Sequence, residues 1–349
     1  MTGLTKEDRV KTVFGGGGHV VILGAGASIA ATRRNPEMNG KGLPSMNDFI
    51  ELVGLQDIVS SLPIDLRTAN FEELYSNLHK DNPNSDILKE IEKRVFDYFK
   101  DMKLPDKPTI YDYLVLSLRN RDIIATFNWD PFLYQAWCRN KHLGDYPYIA
   151  FLHGNVALGY STKEKNAGPA GMTSKKTFNY FEPTQLLFPV TKKNYNNDEF
   201  TKSQWEMLDS FLSDKAVRML TIFGYGAPKT DVEAVQALNK AWGTGVQRNM
   251  EQFEIIDIRP EEELVDTWGN FINSHHYDYS TDYFKSSLAR NPRRTFESYI
   301  QHIMPMTPDE AFSASNPVPS DFKTLEDLWD WHKDLLEAEK EYYSTQGTN

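Results

Sequence analysis

The stretch His19–Ser28, read as His-Val-Val-Ile-Leu-Gly-Ala-Gly-Ala-Ser, constrains this chain more than any other. Val20–Leu23 is a short β-branched apolar run, the pattern of a strand covered on both faces in a parallel sheet. It breaks at once into Gly24-Ala25-Gly26-Ala27-Ser28. Gly24 and Gly26 permit a tight turn and close backbone approach, and a helix beginning near Ala27 would aim free N–H groups at an anion. A dinucleotide loop wants a third glycine, and Ile29 stands in its place. The motif alone therefore suits a phosphate-binding turn and a plain strand-turn-helix corner about equally.

Four more apolar runs have strand character: Asp122–Thr126, Tyr148–Leu152, Met219–Phe223 and Phe253–Ile258. Between them lie amphipathic helical stretches, among them Asn47–Val53, Phe71–Leu78 and Ile87–Phe99. Thr109 with Asp112, Ser203 with Glu206, and Thr230 with Glu233 have the spacing of helix caps, and Pro131 suits a first helical turn. Residues 30–42 are expected to form a polar loop over the first strand end. Residues 155–200, rich in Lys, Asn, Gly and Thr, are expected to be an insertion rather than core. After Glu261 the chain turns aromatic and helical, ending in Leu325–Tyr343 behind Thr324 and Asp327. The expected fold is α/β and Rossmann-like, a mostly parallel sheet with helices on both faces. Residues 1–260 would form the binding domain and residues 261–349 a helical extension.

Composition narrows the function. The chain has 349 residues, 40% of them apolar, enough for a real core, and a formal charge of −11 that disfavours a broad nucleic-acid or anionic-membrane surface. The single cysteine, Cys138, excludes an internal disulfide and an all-cysteine metal site within one chain. With no apolar run of membrane-spanning length and a polar N-terminus, a cytoplasmic protein is expected.

Ligands of such sheets bind at the carboxyl ends of the strands, and four ends carry polar or small residues: Gly24–Ser28, Asn128 with Asp130, His153, and Gly224–Gly226. Each alone reads as a structural residue. Their recurrence points to one site.

The ordered set Gly-Ala-Gly-Ala-Ser, Thr126-Phe-Asn-Trp-Asp130, His153-Gly154 and Gly224-Tyr-Gly with Asp231 resembles the sirtuin family over roughly Val20 to Ile258. Two departures separate it from the protein deacetylases. No cysteine follows Cys138, so zinc is not expected, and Gly42-Leu-Pro-Ser-Met46 stands where they carry Gly-Ile-Pro-Asp-Phe-Arg. In this the chain is similar to sirtuin-like effectors of bacterial antiphage defence, which hydrolyse NAD to nicotinamide and ADP-ribose. The resemblance implies NAD as substrate, self-assembly into a homo-oligomer, and a separately encoded sensor such as an ATPase or Argonaute-like protein.

Chemistry assigns roles within that frame. Asn128 can hold ribose hydroxyls and a water, His153 can act as general base, and Asp130 can orient Asn128 or the nicotinamide amide or simply cap a helix. Gly24, Ala25, Gly26 and Ser28 would carry the phosphates, with Arg33 as an aid or a plain surface residue. Gly224 and Tyr225 would pass the adenosine side, and Asp257 would bind a ribose hydroxyl. Asp231 reads as a helix-start residue. The competing class is a non-catalytic NAD or ADP-ribose sensor using the same pocket; a protein deacylase or ADP-ribosyltransferase ranks behind both.

Overall fold

The computed structural model describes residues 5–33, 43–45, 48–190, 195, 198–227, 231–248, 250–271, 277–303 and 315–346. Three strands lead the main sheet: β1 (Gly18–Leu23), β2 (Ile123–Thr126) and β3 (Tyr148–Phe151). A small antiparallel sheet follows, of β4 (Leu158–Ser161), β5 (Asn166–Pro169) and β6 (Glu182–Pro183). β7 (Val217–Phe223), β8 (Gln252–Ile256) and β9 (Tyr277–Ser280) complete the main sheet. Its order is β3-β2-β1-β7-β8-β9, with every neighbouring pair parallel. The expected Rossmann-like α/β architecture is thus present. β9 adds a sixth strand beyond the five expected and lies after residue 260.

Every residue of β1 is buried, and alternation along the strands divides the core in two. Val21, Leu23 and Ile124 face one cluster, whereas Val20, Ile22 and Ala125 face the other. The first layer includes α2 (Ala25–Arg33), after the short α1 (Lys6–Lys11), then α3 (Phe49–Val53), α4 (Gln56–Ser61), α5 (Phe71–Asp81) and α6 (Asp86–Lys100). It is completed by α7 (Ile110–Leu116) and α8 (Phe132–Asn140). The opposite layer holds α9 (Glu199–Ser213), α10 (Val232–Trp242) and α11 (Glu261–Trp268). Among the described residues no helix is long and apolar enough to cross a membrane.

Several local expectations change. α2 begins at Ala25, two residues before the expected start, so residues 30–33 are helical. Residues 34–42 lie outside the described part. α9 begins at Glu199 because Asp198 accepts the Thr201 N–H at 2.8 Å, which places Ser203 inside the helix, donating to the Phe200 carbonyl. The Ser203/Glu206 cap is therefore not used. Thr230 lies outside the described residues. The Thr109/Asp112 and Thr324/Asp327 caps do form. Residues 155–200 contribute to the interior, since Val156 and Phe188 belong to the main core. The low apolar density of that segment concealed a few residues with large burial.

Two buried polar systems pin the sheet. On β1, His19 Nε2 lies 2.7 Å from Thr221 Oγ1, whose hydroxyl donates to Glu254 Oε2 at 3.0 Å. Near the chain's end, Glu339 of the C-terminal helix Leu325–Gln346 accepts hydrogen bonds from Arg293 and Arg294.

Candidate active site

Because β2 and β7 flank β1 while the chain visits them on opposite sides, the sheet's switch point lies between β1 and β7. The loops leaving β1, β2, β3 and β7 open there onto one cavity of about 270 Å³. Gly24, Ala25, Ser28, Asn128, Asp130, His153, Gly224 and Tyr225 all line it. Gly26 and Asp257 do not.

The glycines serve first to bring two loops together. A Cβ on Gly24 would stand 2.5 Å from Tyr225 Cα, and one on Gly26 would stand 2.8 Å from Gly224 Cα. Gly224 reciprocates at φ +59, where its own Cβ would lie 2.4 Å from the Ala27 nitrogen. The Gly26 N–H donates to the Gly224 carbonyl at 2.9 Å. Gly26, expected to help carry the phosphates, thus spends its N–H on the neighbouring loop.

Asn128 is fixed by its donors. Its Nδ2 reaches the Gly24 carbonyl at 2.8 Å and Ser28 Oγ at 2.9 Å. A carbonyl can only accept, so the amide orientation is determined, and Oδ1 is the half left for a ligand. Ser28 donates to Asp130 Oδ2 at 2.7 Å, while Tyr111 OH lies 2.5 Å from Ser28 Oγ. Asp130 Oδ1 accepts the Phe132 N–H at 3.1 Å, close to its alternative reading as a helix cap, while Oδ2 takes part in the site. Burial pushes the Asp130 carboxyl up to about 6.

His153 sits at the end of β3 with its ring edge-on to Phe127, centroids 4.8 Å apart. Phe127 in turn stacks on Tyr225 at 4.1 Å. Gly154 follows at φ +75, where a Cβ would meet the Gln185 carbonyl oxygen at 2.0 Å. The glycine admits residues 185–189, and this is how Leu187 and Pro189, from the segment expected to be peripheral, reach the cavity wall.

Compared with family models and with curated proteins, the sequence matches neither. Its structure is similar to solved Sir2 homologues. A Sir2 homolog–NAD complex aligns over 84% of this chain and 94% of its own, at 13% identity and a TM-score of 0.42. A Sir2 homologue mutant–ADP ribose complex aligns over 85% and 97%, at 13% identity and a TM-score of 0.38.

Three carboxylates, Glu72, Asp130 and Asp231, stand in the wall, and among its described residues there is no lysine or arginine. Aromatic faces from Phe49, Phe99, Phe127 and Trp129 make up much of the rest. Such a wall favours a flat, cationic group. Asp257 instead binds Arg259 of its own turn, Oδ2 to Nη2 at 2.7 Å, so its carboxylate is engaged outside the cavity. The side chain of Arg33 lies outside the described part. Asp231 occupies the N-cap position of α10 without a capping hydrogen bond and accepts the Tyr225 hydroxyl at 2.9 Å. Its expected place at a helix start holds, and it also lines the cavity. Tyr111 and Glu72, both on helices, carried no local sequence signal. Among the described residues no group of three or more His, Cys, Asp or Glu could hold a metal ion.

Proposed function

We propose that this chain is an NAD glycohydrolase that cleaves NAD to nicotinamide and ADP-ribose. The observation that carries the reading is the fixed Asn128 amide, whose donors are spent on Gly24 and Ser28, presenting Oδ1 in the same cavity as His153. A carbonyl acceptor beside an imidazole suits a ribose hydroxyl and a water, both of which donate.

The charge of the wall supports the same chemistry. Oxidised nicotinamide is a cation attached through its ring nitrogen, and the carboxylates and aromatic faces favour it. When the glycosidic bond breaks, its electron pair goes to the ring nitrogen and neutral nicotinamide leaves. The positive charge passes to the ribose, where Asp130, Asp231 and Glu72 remain to stabilise it. Water then forms the new bond to that carbon, and His153 takes the proton it loses. No general acid is needed. A general base of this kind contributes on the order of 10²–10⁴-fold.

The motif resemblance supports a physiological setting: a cytoplasmic, NAD-depleting defence effector that assembles with its own copies and answers to a separately encoded sensor. Residues 1–260 then form the catalytic unit and 261–349 an extension.

The test is nicotinamide release from NAD by the full-length protein, alone and with the product of the neighbouring gene. Wild type should release it, while Asn128→Ala and His153→Ala should lose at least about 10²-fold. NAD binding by calorimetry with no release under either condition would overturn the hydrolase and move the chain to the sensor class. Release unchanged in His153→Ala would remove His153 as the base.

A further inference from the structure

Asp231 lies where the proposed reaction needs a charge. Its Oδ1 stands 4.0 Å from His153 Nε2, and its Oδ2 accepts the Tyr225 hydroxyl at 2.9 Å. Both Asp231 and His153 are buried, with relative exposures of 3% and 5%. The Tyr225 ring stacks on Phe127, which packs edge-on against the His153 ring. Carboxylate, phenol, imidazole and the Phe127 ring therefore form one packed unit, built from the segments that follow β2, β3 and β7.

A cap role does not account for Asp231, whose side chain makes no capping hydrogen bond on α10. The position still matters, because the start of an 11-residue helix favours negative charge.

We infer that Asp231 is a positioning residue for His153, holding the imidazole in orientation and stabilising the imidazolium formed when His153 accepts a proton, with Tyr225 fixing the carboxylate. The inference rests on the reading of His153 as proton acceptor. An opposite charge within about 4–6 Å favours the charged form of an imidazole, shifting its titration upward by about 1–3 pH units. The neutral form remains the base, and its conjugate acid is the species stabilised.

Other groups facing His153 can be separated from this effect. Tyr225 and Tyr195 both titrate far above neutrality, chiefly because of burial, so they remain neutral across the working range. Glu233 acts on Tyr195, and Glu72 acts on Tyr225. Asp130 shares the cavity wall and titrates near 6 through burial, which adds an ionisation common to wild type and an Asp231 variant.

The experiment compares Asp231→Asn, which keeps size and suits an N-cap position, with wild type and Tyr225→Phe. The His153 ring is titrated directly by NMR, with His153→Ala assigning the signal, and kcat and KM for nicotinamide release are followed from pH 5 to 9. Asp231→Asn should lower the His153 midpoint by about 1 pH unit or more and reduce kcat about 10-fold or more, with KM changed by less than about 3-fold. Tyr225→Phe should shift the midpoint in the same direction by less, and Asp231→Glu should restore part of it. An unchanged His153 midpoint in Asp231→Asn overturns the inference, whatever happens to the rate. The NMR titration does not require turnover. Wild type without nicotinamide release, together with a shifted midpoint, would sink the hydrolase reading and leave the Asp231–His153 coupling standing.

Discussion

Ser28 donates its hydroxyl to Asp130 across 2.7 Å, joining the first turn of α2 to the loop that follows β2. The same oxygen accepts from Asn128 Nδ2 and lies within hydrogen-bond reach of Tyr111 OH. With its one proton given to the carboxylate, Ser28 Oγ takes the Tyr111 proton as acceptor, so four side chains from three elements share a single hydroxyl. The orientation of the Asn128 amide depends on it.

Ser28→Ala should therefore act on both stability and turnover. Buried Asp130 loses its side-chain donor and Tyr111 its acceptor, a cost of about 1–3 kcal/mol. Asn128 keeps the Gly24 carbonyl at 2.8 Å and the longer contact to Tyr111 OH at 3.2 Å, so its Oδ1 is held less firmly and kcat should fall by about 10-fold to 10²-fold. Removing the Ser28 bond also raises the Asp130 carboxyl further above about 6, and the acid limb of the pH–rate profile should move to higher pH. Calorimetry and nicotinamide release over pH 5–8 measure the three effects; an unchanged rate would separate Asn128 from this network.

Gly154→Ala should be among the most damaging single-methyl changes in the chain. The new Cβ would lie 2.0 Å from a backbone oxygen of Gln185, at a φ of +75 that an alanine seldom adopts. Neither the Gln185 carbonyl nor the Gly154 backbone has room to yield without moving residues 185–189, and with them the Leu187 and Pro189 portion of the cavity wall. A loss of about 2 kcal/mol or more is expected in denaturant unfolding, together with weaker NAD binding. Wild-type stability would show that the 185–189 segment adapts freely.

These two positions also mark what the sequence made legible. The sheet could be read because β1 is apolar without interruption and stops at glycines, and Asn128 and His153 could be found because each ends such a run. The glycine turn was legible as a turn but not as a lock. That Gly24 and Gly26 are needed by Gly224 and Tyr225 depends on a contact about 200 residues distant in sequence, which no local pattern encodes. Tyr111 and Glu72, and the place of Asp231 in the cavity as well as at a helix start, were illegible for a related reason. Each sits in or beside a helix whose spacing explains it locally, and only the packing of α5, α7 and α10 around the strand ends turns them inward. β9 escaped because Tyr-Asp-Tyr-Ser alternates weakly and follows an acidic helix.

Glu254 gives the fold a defined pH response. Burial pushes its carboxyl up to about 7, above an unfolded value near 4.5, so the stability tied to it is complete below about pH 4.5 and is lost as pH rises through about 7. Glu254→Gln removes that titration. The uncharged amide can be accommodated because the hydroxyls of Thr221 and Thr295, at either end of His19, allow the hydrogen-bond chain to reverse direction. Between pH 5 and pH 8 the stability of the variant should therefore rise relative to wild type, on the order of 2–3 kcal/mol. Asp122, also pushed to about 7 by burial, keeps its own slope in both proteins. Denaturant unfolding at the two pH values measures the difference, and a constant gap would mean that Glu254 is not the group responsible.

Glu339 holds the C-terminal helix to the rest of the molecule. It accepts from Arg293 Nε at 2.8 Å and from Arg294 Nη1 at 2.6 Å, and all three side chains are buried. Burial opposes the charge on Glu339, yet Arg293 and Arg294 outweigh it and keep the carboxyl below its ordinary value. Its contribution is therefore present above about pH 4.5 and is lost as pH falls further. Glu339→Ala leaves two buried guanidinium groups without their anion, a loss of about 3–5 kcal/mol at neutral pH. The penalty has a local outlet, because the helix Leu325–Gln346 can detach and expose both arginines to water. Hydrogen exchange should then lose protection first across 325–346, and trypsin should cut after Arg293 and Arg294. Global unfolding without prior loss at 325–346 would instead show that this helix and the parallel sheet form one cooperative unit.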